Sequence, residues 1–182
     1  MGRPIVREGS GISLGILERS DIPQLYAEFN TPDVRRYLTG RERAVSLEAA
    51  YQMYDSAQKD TSTMTYAVAV NALRGKGSSD LAGTVALNHI DWANRRAEVA
   101  YILFRKYWGK GYGTEALSLA VMQAFWTLNL RKLTATVCRP NRPSVKVLEK
   151  NGFRKAVTFT NHVYVEHEGY VDEFIYELFR QE

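Results

Sequence analysis

The chain has 182 residues, 24 of them Lys or Arg and 20 Asp or Glu, for a net charge of +4 and a pI near 9.2. Hydrophobic residues at 45% and charged residues at 24% exclude a disordered or fibrous chain, and the length suits one domain covering residues 1–182. Basic residues are spread without the aromatic-interleaved stripe of a nucleic-acid module, so no stable nucleic-acid binding is expected.

No apolar run nears the ~18 residues that cross a bilayer, and the opening MGRPIVREGS lacks the apolar core of a signal peptide. One cysteine, Cys138 in the run LTATVC, makes no internal disulfide and suits a buried thiol. These features predict no membrane association and a cytoplasmic location.

In chain order, Ile12 to Leu17 reads as a strand, and Ser20 is a candidate cap for a helix starting at Asp21. Pro32 suits the first turn of a second helix running to about Tyr37, and Ser46 caps a third running to about Lys59. A meander follows: Thr65 to Val70, Leu81 to Ile90 and Arg96 to Phe104, joined by the turn-rich segments RGKGSSD and DWANR. From Thr114 to Leu128, Leu117, Ala120, Val121, Ala124, Phe125 and Leu128 recur at three and four, which predicts a helix with one face on the sheet. Lys132 to Cys138 is strand-like, a helix runs from near Pro143 to a cap at Gly152, and Phe153 to Val165 with Tyr170 to Phe179 flank the turn EHEG as a terminal hairpin.

The segment Tyr101 to Ala116 takes a strand through a basic, glycine-rich turn into a helix, where Gly109, Lys110, Gly111, Tyr112, Gly113 and Thr114 offer backbone N–H groups and a helix N-terminus to an anion. Arg105 and Lys106 are expected to add positive charge. A Walker loop is excluded, because Gly109-Lys110 is followed by Gly111 and Gly75-Lys76 by Gly77 instead of Ser or Thr. A dinucleotide fingerprint is formally matched by Gly111, Gly113 and Ala116, but no acidic ribose ligand stands between Glu115 and Glu149, and the loop lies past mid-chain. The pyrophosphate of coenzyme A and a plain strand-to-helix turn remain.

A second segment, Asn141-Arg-Pro-Ser-Val-Lys-Val-Leu-Glu-Lys-Asn-Gly-Phe153, follows Trp108-Gly-Lys-Gly-Tyr-Gly-Thr-Glu-Ala-Leu117. In order and separation the two resemble the cofactor motifs of the GNAT N-acetyltransferase superfamily. The opening LGILERSDIPQLYAEFNTPDVRRYL, the stretch NRRAEVAYIL and the terminal GYVDEFIYEL are similar to its ribosomal-protein alanine acetyltransferase branch, so the resemblance covers nearly the whole chain. It implies an α+β fold: a central, mostly antiparallel twisted sheet with a splayed parallel pair, flanked by helices. It also implies acetyl-CoA as co-substrate and no metal. Many relatives carry a general-acid tyrosine seven residues after the asparagine, where this chain has Leu148, so that route is closed here. Where the loop commonly opens with Gln or Arg, this chain has Trp108, which the ribosomal-protein branch tolerates.

Acyl transfer to an amine needs a free amine, a stabilised carbonyl oxyanion and a proton for the departing thiolate. By the resemblance, Glu98 on the strand before the loop is the candidate base, with a solvated carboxylate beside Arg95 and Arg96 as its plain reading. The same resemblance places Ile102 and Leu103 at the oxyanion and the pantetheine arm, makes Ser144 the candidate acid or cofactor ligand, and lets Asn141 orient the cofactor or cap its helix. His89, His162 and His167 have no metal-ligand spacing. The expected acceptor is a primary amine, first a protein N-terminus such as that of a ribosomal protein, next a polyamine or another small amine. A non-catalytic acyl-CoA-binding sensor is the rival of another class, and oligomeric state is not legible.

Overall fold

The computed structural model describes residues 3–38, 44–71 and 80–181. Among these residues the elements are β1 (Ile5–Glu8), β2 (Ile12–Ile16), α1 (Ile22–Phe29), α2 (Pro32–Arg35), α3 (Leu47–Ala57), β3 (Met64–Val70), β4 (Leu81–Asp91), β5 (Arg96–Leu103), α4 (Tyr112–Met122), β6 (Lys132–Cys138), α5 (Arg142–Lys150), β7 (Arg154–Val165) and β8 (Gly169–Phe179). The strands form one mixed sheet in the order β1-β2-β3-β4-β5-β6-β8-β7. Neighbours are antiparallel except β5 and β6, which are parallel because α4 carries the chain back across the sheet.

Alternation along the strands divides the sheet into two faces. On one, α4 packs on β2, β4 and β5 and against α5, and the core gathers Leu14, Val68, Val85, Leu87, Val99, Leu117 and Ala120, all buried. On the other, α1 and α3 pack together, and Phe29 of α1 meets Phe104 edge-on at 6.3 Å.

Several local predictions change. β1 was not anticipated, since four residues carrying Arg7 and Glu8 give no clean alternation; pairing with β2 makes them a strand. Ser20 is not the cap of α1. Glu18 and Asp21 form a reciprocal capping box around a 3-10 turn, and α1 starts at Ile22. Asp21 also accepts two hydrogen bonds from the Arg3 guanidinium, at 2.6 and 2.5 Å, in a largely buried pair that ties the N-terminal strand to α1.

The second helix is a single turn that stops at Arg35, short of Tyr37, and α3 stops at Ala57, short of Lys59. Ser46 caps α3 as expected, accepting from the Ala49 amide at 3.1 Å. The helix predicted from Thr114 begins at Tyr112, and its last part, Gln123–Thr127, widens to a π-turn in which buried Gln123 meets Arg7. α5 ends in a Schellman motif: Phe153 N–H bonds the Leu148 carbonyl at 3.1 Å, and Gly152 N–H the Glu149 carbonyl at 3.0 Å. DWANR turns on Asp91, which accepts from the Asn94 amide at 2.9 Å. The turn predicted at RGKGSSD lies, apart from Asp80, outside the described residues.

Candidate active site

β5 and β6 pair from Arg96↔Lys132 to Glu98↔Thr134. Past Glu98, β5 stays with β4 as far as Leu103 while β6 stays with β8 as far as Cys138, so the parallel pair splays. Phe104 N–H donates to the Ala82 carbonyl at 2.8 Å. Antiparallel alternation then directs the amides of Ile102 and Ala100 at β4, and those of Leu103 and Tyr101 into the gap. The Trp108 indole donates to the Leu103 carbonyl at 2.7 Å, in keeping with that orientation. A Cβ on Gly83 would stand 2.0 Å from the Ile102 carbonyl oxygen, so β4 and β5 approach this closely at the far end of the splayed segment because position 83 has no side chain.

At the end of β5 the chain turns through Gly109 to Gly111, the N-cap of α4, whose φ of 83° is left-handed. The first-turn amides of Tyr112, Gly113 and Thr114 have no helical acceptors and carry the positive end of the helix dipole. Nothing lies within 4 Å of a Cβ built on Gly109 or Gly111, so the cradle is open to an anion. Lys106 and Lys110 both stand over the Tyr107 ring, at 4.8 and 5.5 Å. Arg105 differs from expectation: its guanidinium is ion-paired with Asp33 of α2. Glu115, although in the first turn, points away and accepts from Ser10 Oγ and Gly11 N–H at 2.9 Å.

Across the gap, the Asn141 side chain accepts from the Ser144 amide at 3.3 Å and caps α5. Ser144 Oγ lies 2.8 Å from the Tyr101 hydroxyl oxygen. Burial pushes the Tyr101 phenol up to about 12, against a smaller downward pull from Ser144. Leu148, in the place of the missing tyrosine, is a core residue.

Glu98 is partnered by residues of β6 and β4. Its carboxylate accepts from Thr136 Oγ1 at 2.8 Å and lies 3.4 Å from His89 Nδ1, while Arg96 pairs with Asp91. By strand alternation Glu173 of β8, the register partner of Cys138, faces the same side as Thr136. Burial, and then the charge of Glu98, raise the Glu173 carboxyl, while His162 at 3.7 Å pulls it down.

On this face lies a cavity of about 580 Å³ between α1–α3 and the sheet. Tyr26, Phe29, Met53 and Tyr54 supply apolar wall; Asn88, Ala100 and Ile102 supply sheet floor. Asn88 is the cross-strand partner of Glu98, so the carboxylate stands beside the cavity. Asp60, also in the lining, is held below the usual carboxylate range by hydrogen bonds from the Ser62 hydroxyl and amide, and His89 lowers it a little further.

The acetyltransferase (GNAT) domain family matches residues 14–154. The chain belongs to the GNAT acetyltransferase family. It is 30% identical over 146 residues to N-acetyltransferase p20 of Bacillus licheniformis, covering 79% of each chain. It is 31% identical over 142 residues to the spermidine N(1)-acetyltransferase of Escherichia coli K12, covering 78% of this chain and 72% of that one. The fold is similar to that of a Vibrio cholerae spermidine N-acetyltransferase solved with CoA and spermine, with a TM-score of 0.84 at 22% identity over 94% of this chain and 96% of that one.

This GNAT acetyltransferase uses acetyl-CoA, and the site fits it: an open amide cradle suited to an anion, Lys110 within the turn and a splayed strand pair. Gly111→Ala forces a methyl group into left-handed backbone at a cost of about 1–2 kcal/mol. It is expected to raise the acetyl-CoA KM roughly fivefold to tenfold with kcat little changed. An unaltered KM in a folded variant would remove the cradle from the binding site. Among the described residues no three His, Cys, Asp or Glu gather as metal ligands, and no helix is long and apolar enough to cross a membrane.

The sequence reading missed Tyr101, Thr136, Glu173 and Asp60. A phenol on the core-facing register of β5 signals a buried hydroxyl that needs a partner, so Tyr101 was in principle legible. Thr136 and Glu173 join Glu98 through the β5–β6–β8 register, which no local pattern specifies.

Proposed function

We propose that this acetyltransferase acetylates a small polyamine of the spermidine class, held in the cavity beside Glu98. The observation that carries the proposal is the cavity itself, whose volume of about 580 Å³ suits a small molecule. Its apolar and aromatic walls match methylene chains, and Asp60 in its lining and Glu98 beside it offer carboxylates to ammonium groups. The net charge of +4 matters less than this local arrangement. The similarity to spermidine acetyltransferases supports the same class. A ribosomal-protein N-terminus, suggested by the resemblance of LGILERSDIPQLYAEFNTPDVRRYL and GYVDEFIYEL, is the second reading.

In the proposed mechanism Glu98, fixed by Thr136, takes the proton of the acceptor ammonium, and this matters because such amines have reference pKa values near 10. The gap-facing amides of Tyr101 and Leu103 stabilise the carbonyl oxygen as charge develops, while Ile102, its amide turned to β4, contributes its side chain to the cavity. Acetyl-CoA supplies the acyl group as a thioester. Ser144 donates a hydrogen bond toward the departing sulfur, and Asn141 holds the Ser144 backbone in place.

Thiol release measured with spermidine, spermine, monoamines and N-terminal alanine peptides tests the reading. Release with spermidine at a kcat/KM at least about tenfold above that with the peptides is expected. A preference for peptides would transfer the assignment to protein N-termini, and CoA binding without release on any acceptor would favour a sensor.

A further inference from the structure

The hydrogen bond between β5 and α5 reaches beyond the roles given above. Tyr101 and Ser144 lie 43 positions apart, and their hydroxyl oxygens are 2.8 Å apart in a part-buried setting. A phenol drawn partly out of water gains by placing its proton on a protein acceptor in place of the solvent it has lost. Two acceptors are in reach: Ser144 Oγ at 2.8 Å and the Ser144 carbonyl at 3.4 Å. The nearer is preferred on distance. A phenol is also a better donor and a poorer acceptor than an aliphatic alcohol, so the proton of this pair lies on the tyrosine side. With its Oγ lone pair engaged, Ser144 has its own O–H free to point away from Tyr101. The Asn141 cap fixes the serine backbone at the same time.

We infer that Tyr101 is a positioning residue that sets the direction of the Ser144 hydroxyl, so that the serine donates its hydrogen bond to the departing thiolate. Tyr101 keeps its proton throughout: burial pushes the phenol up to about 12, far above the working range of a thiol whose reference pKa is about 8.5. No net proton passes along the pair. Two protons leave the nitrogen, one from the ammonium through Glu98 to solvent and one from the adduct as the C–N bond is made and the C–S bond breaks; solvent returns one to the thiolate, so each turnover releases one proton. In this arrangement a tyrosine on the strand supports a serine on the helix that has leucine at position 148.

The inference rests on the Ser144 role proposed above, and a double-mutant cycle separates the two. Tyr101→Phe is expected to lower kcat about tenfold with the acetyl-CoA KM within twofold, the size of one lost hydrogen bond. Ser144→Ala is expected to lower kcat by a similar or larger factor, and the double variant to match Ser144→Ala alone. Full kcat in Ser144→Ala would remove the Ser144 role itself. Loss in Ser144→Ala with none in Tyr101→Phe would overturn the positioning role alone, and so would multiplicative losses in the double variant. A melting temperature measured on each variant separates loss of orientation from loss of fold. Site-specific 3-fluorotyrosine at position 101, which keeps the shape and the O–H, is expected to hold kcat within twofold; a tenfold loss there would overturn the inference even if Tyr101→Phe failed to fold.

Discussion

Replacing Glu98 by glutamine is expected to lower kcat about 100-fold at neutral pH, within the range of a lost general base. Glutamine retains the shape and can still accept the Thr136 hydroxyl, which reaches Glu98 at 2.8 Å, so the substitution isolates the proton acceptor from the packing. The pH dependence has a definite sign. Below its reference pKa near 10.4, an amine gains about tenfold in its free fraction for each unit by which the pH rises. The variant should therefore recover steeply as pH rises toward 10, and the wild-type enzyme less so. Equal activity of the two proteins at neutral pH with the best acceptor would eliminate Glu98 as the base. Stopped-assay thiol release across this pH range, corrected for spontaneous thioester hydrolysis, is the measurement.

The second large effect concerns folding. Asp21→Ala is expected to destabilise the protein by about 3 kcal/mol, because it leaves the Arg3 guanidinium buried without its carboxylate. Asp21 also raises the Arg3 pKa, first through their hydrogen bond, and it accepts the Glu18 amide at 2.8 Å, so the capping box is lost with the ion pair. For a chain of this size the loss amounts to roughly 10 °C in Tm. Urea unfolding gives the free energy directly. The double variant Arg3→Met/Asp21→Leu should be less destabilised than Asp21→Ala, because it removes both charges instead of stranding one. A change below about 1 kcal/mol in Asp21→Ala would mean that the Arg3 guanidinium reaches solvent instead of being stranded.

Elements whose boundaries are set by local chemistry were legible without coordinates. Ser46 caps α3 because its hydroxyl reaches the Ala49 amide three residues on, and Gly152 closes α5 because the motif is contained within six residues. The glycine turn before α4 was legible for the same reason. Ser20 misled because serine, aspartate and glutamate compete as caps within four residues, and the winner, Glu18 with Asp21, was decided in part by the distant Arg3. Arg105 misled in a different way: in sequence it belongs to the phosphate loop, but Asp33, 72 positions away, holds it.

By itself the sequence determined the order of strands and helices from β2 onward, the two cofactor segments with their spacing, and the family resemblance built on them, because each depends on residues close together in the chain. Only the tertiary structure decided which side chains meet. The pairing of β6 with both β5 and β8 brings Thr136 to Glu98 and sets Glu173 on the same face. The packing of α5 against the splayed end of β5 brings Ser144 to Tyr101, and the layer of α1 to α3 encloses the cavity. These contacts span tens of residues, and a one-residue change of strand register would turn each of these strand side chains to the other face while leaving every local motif intact.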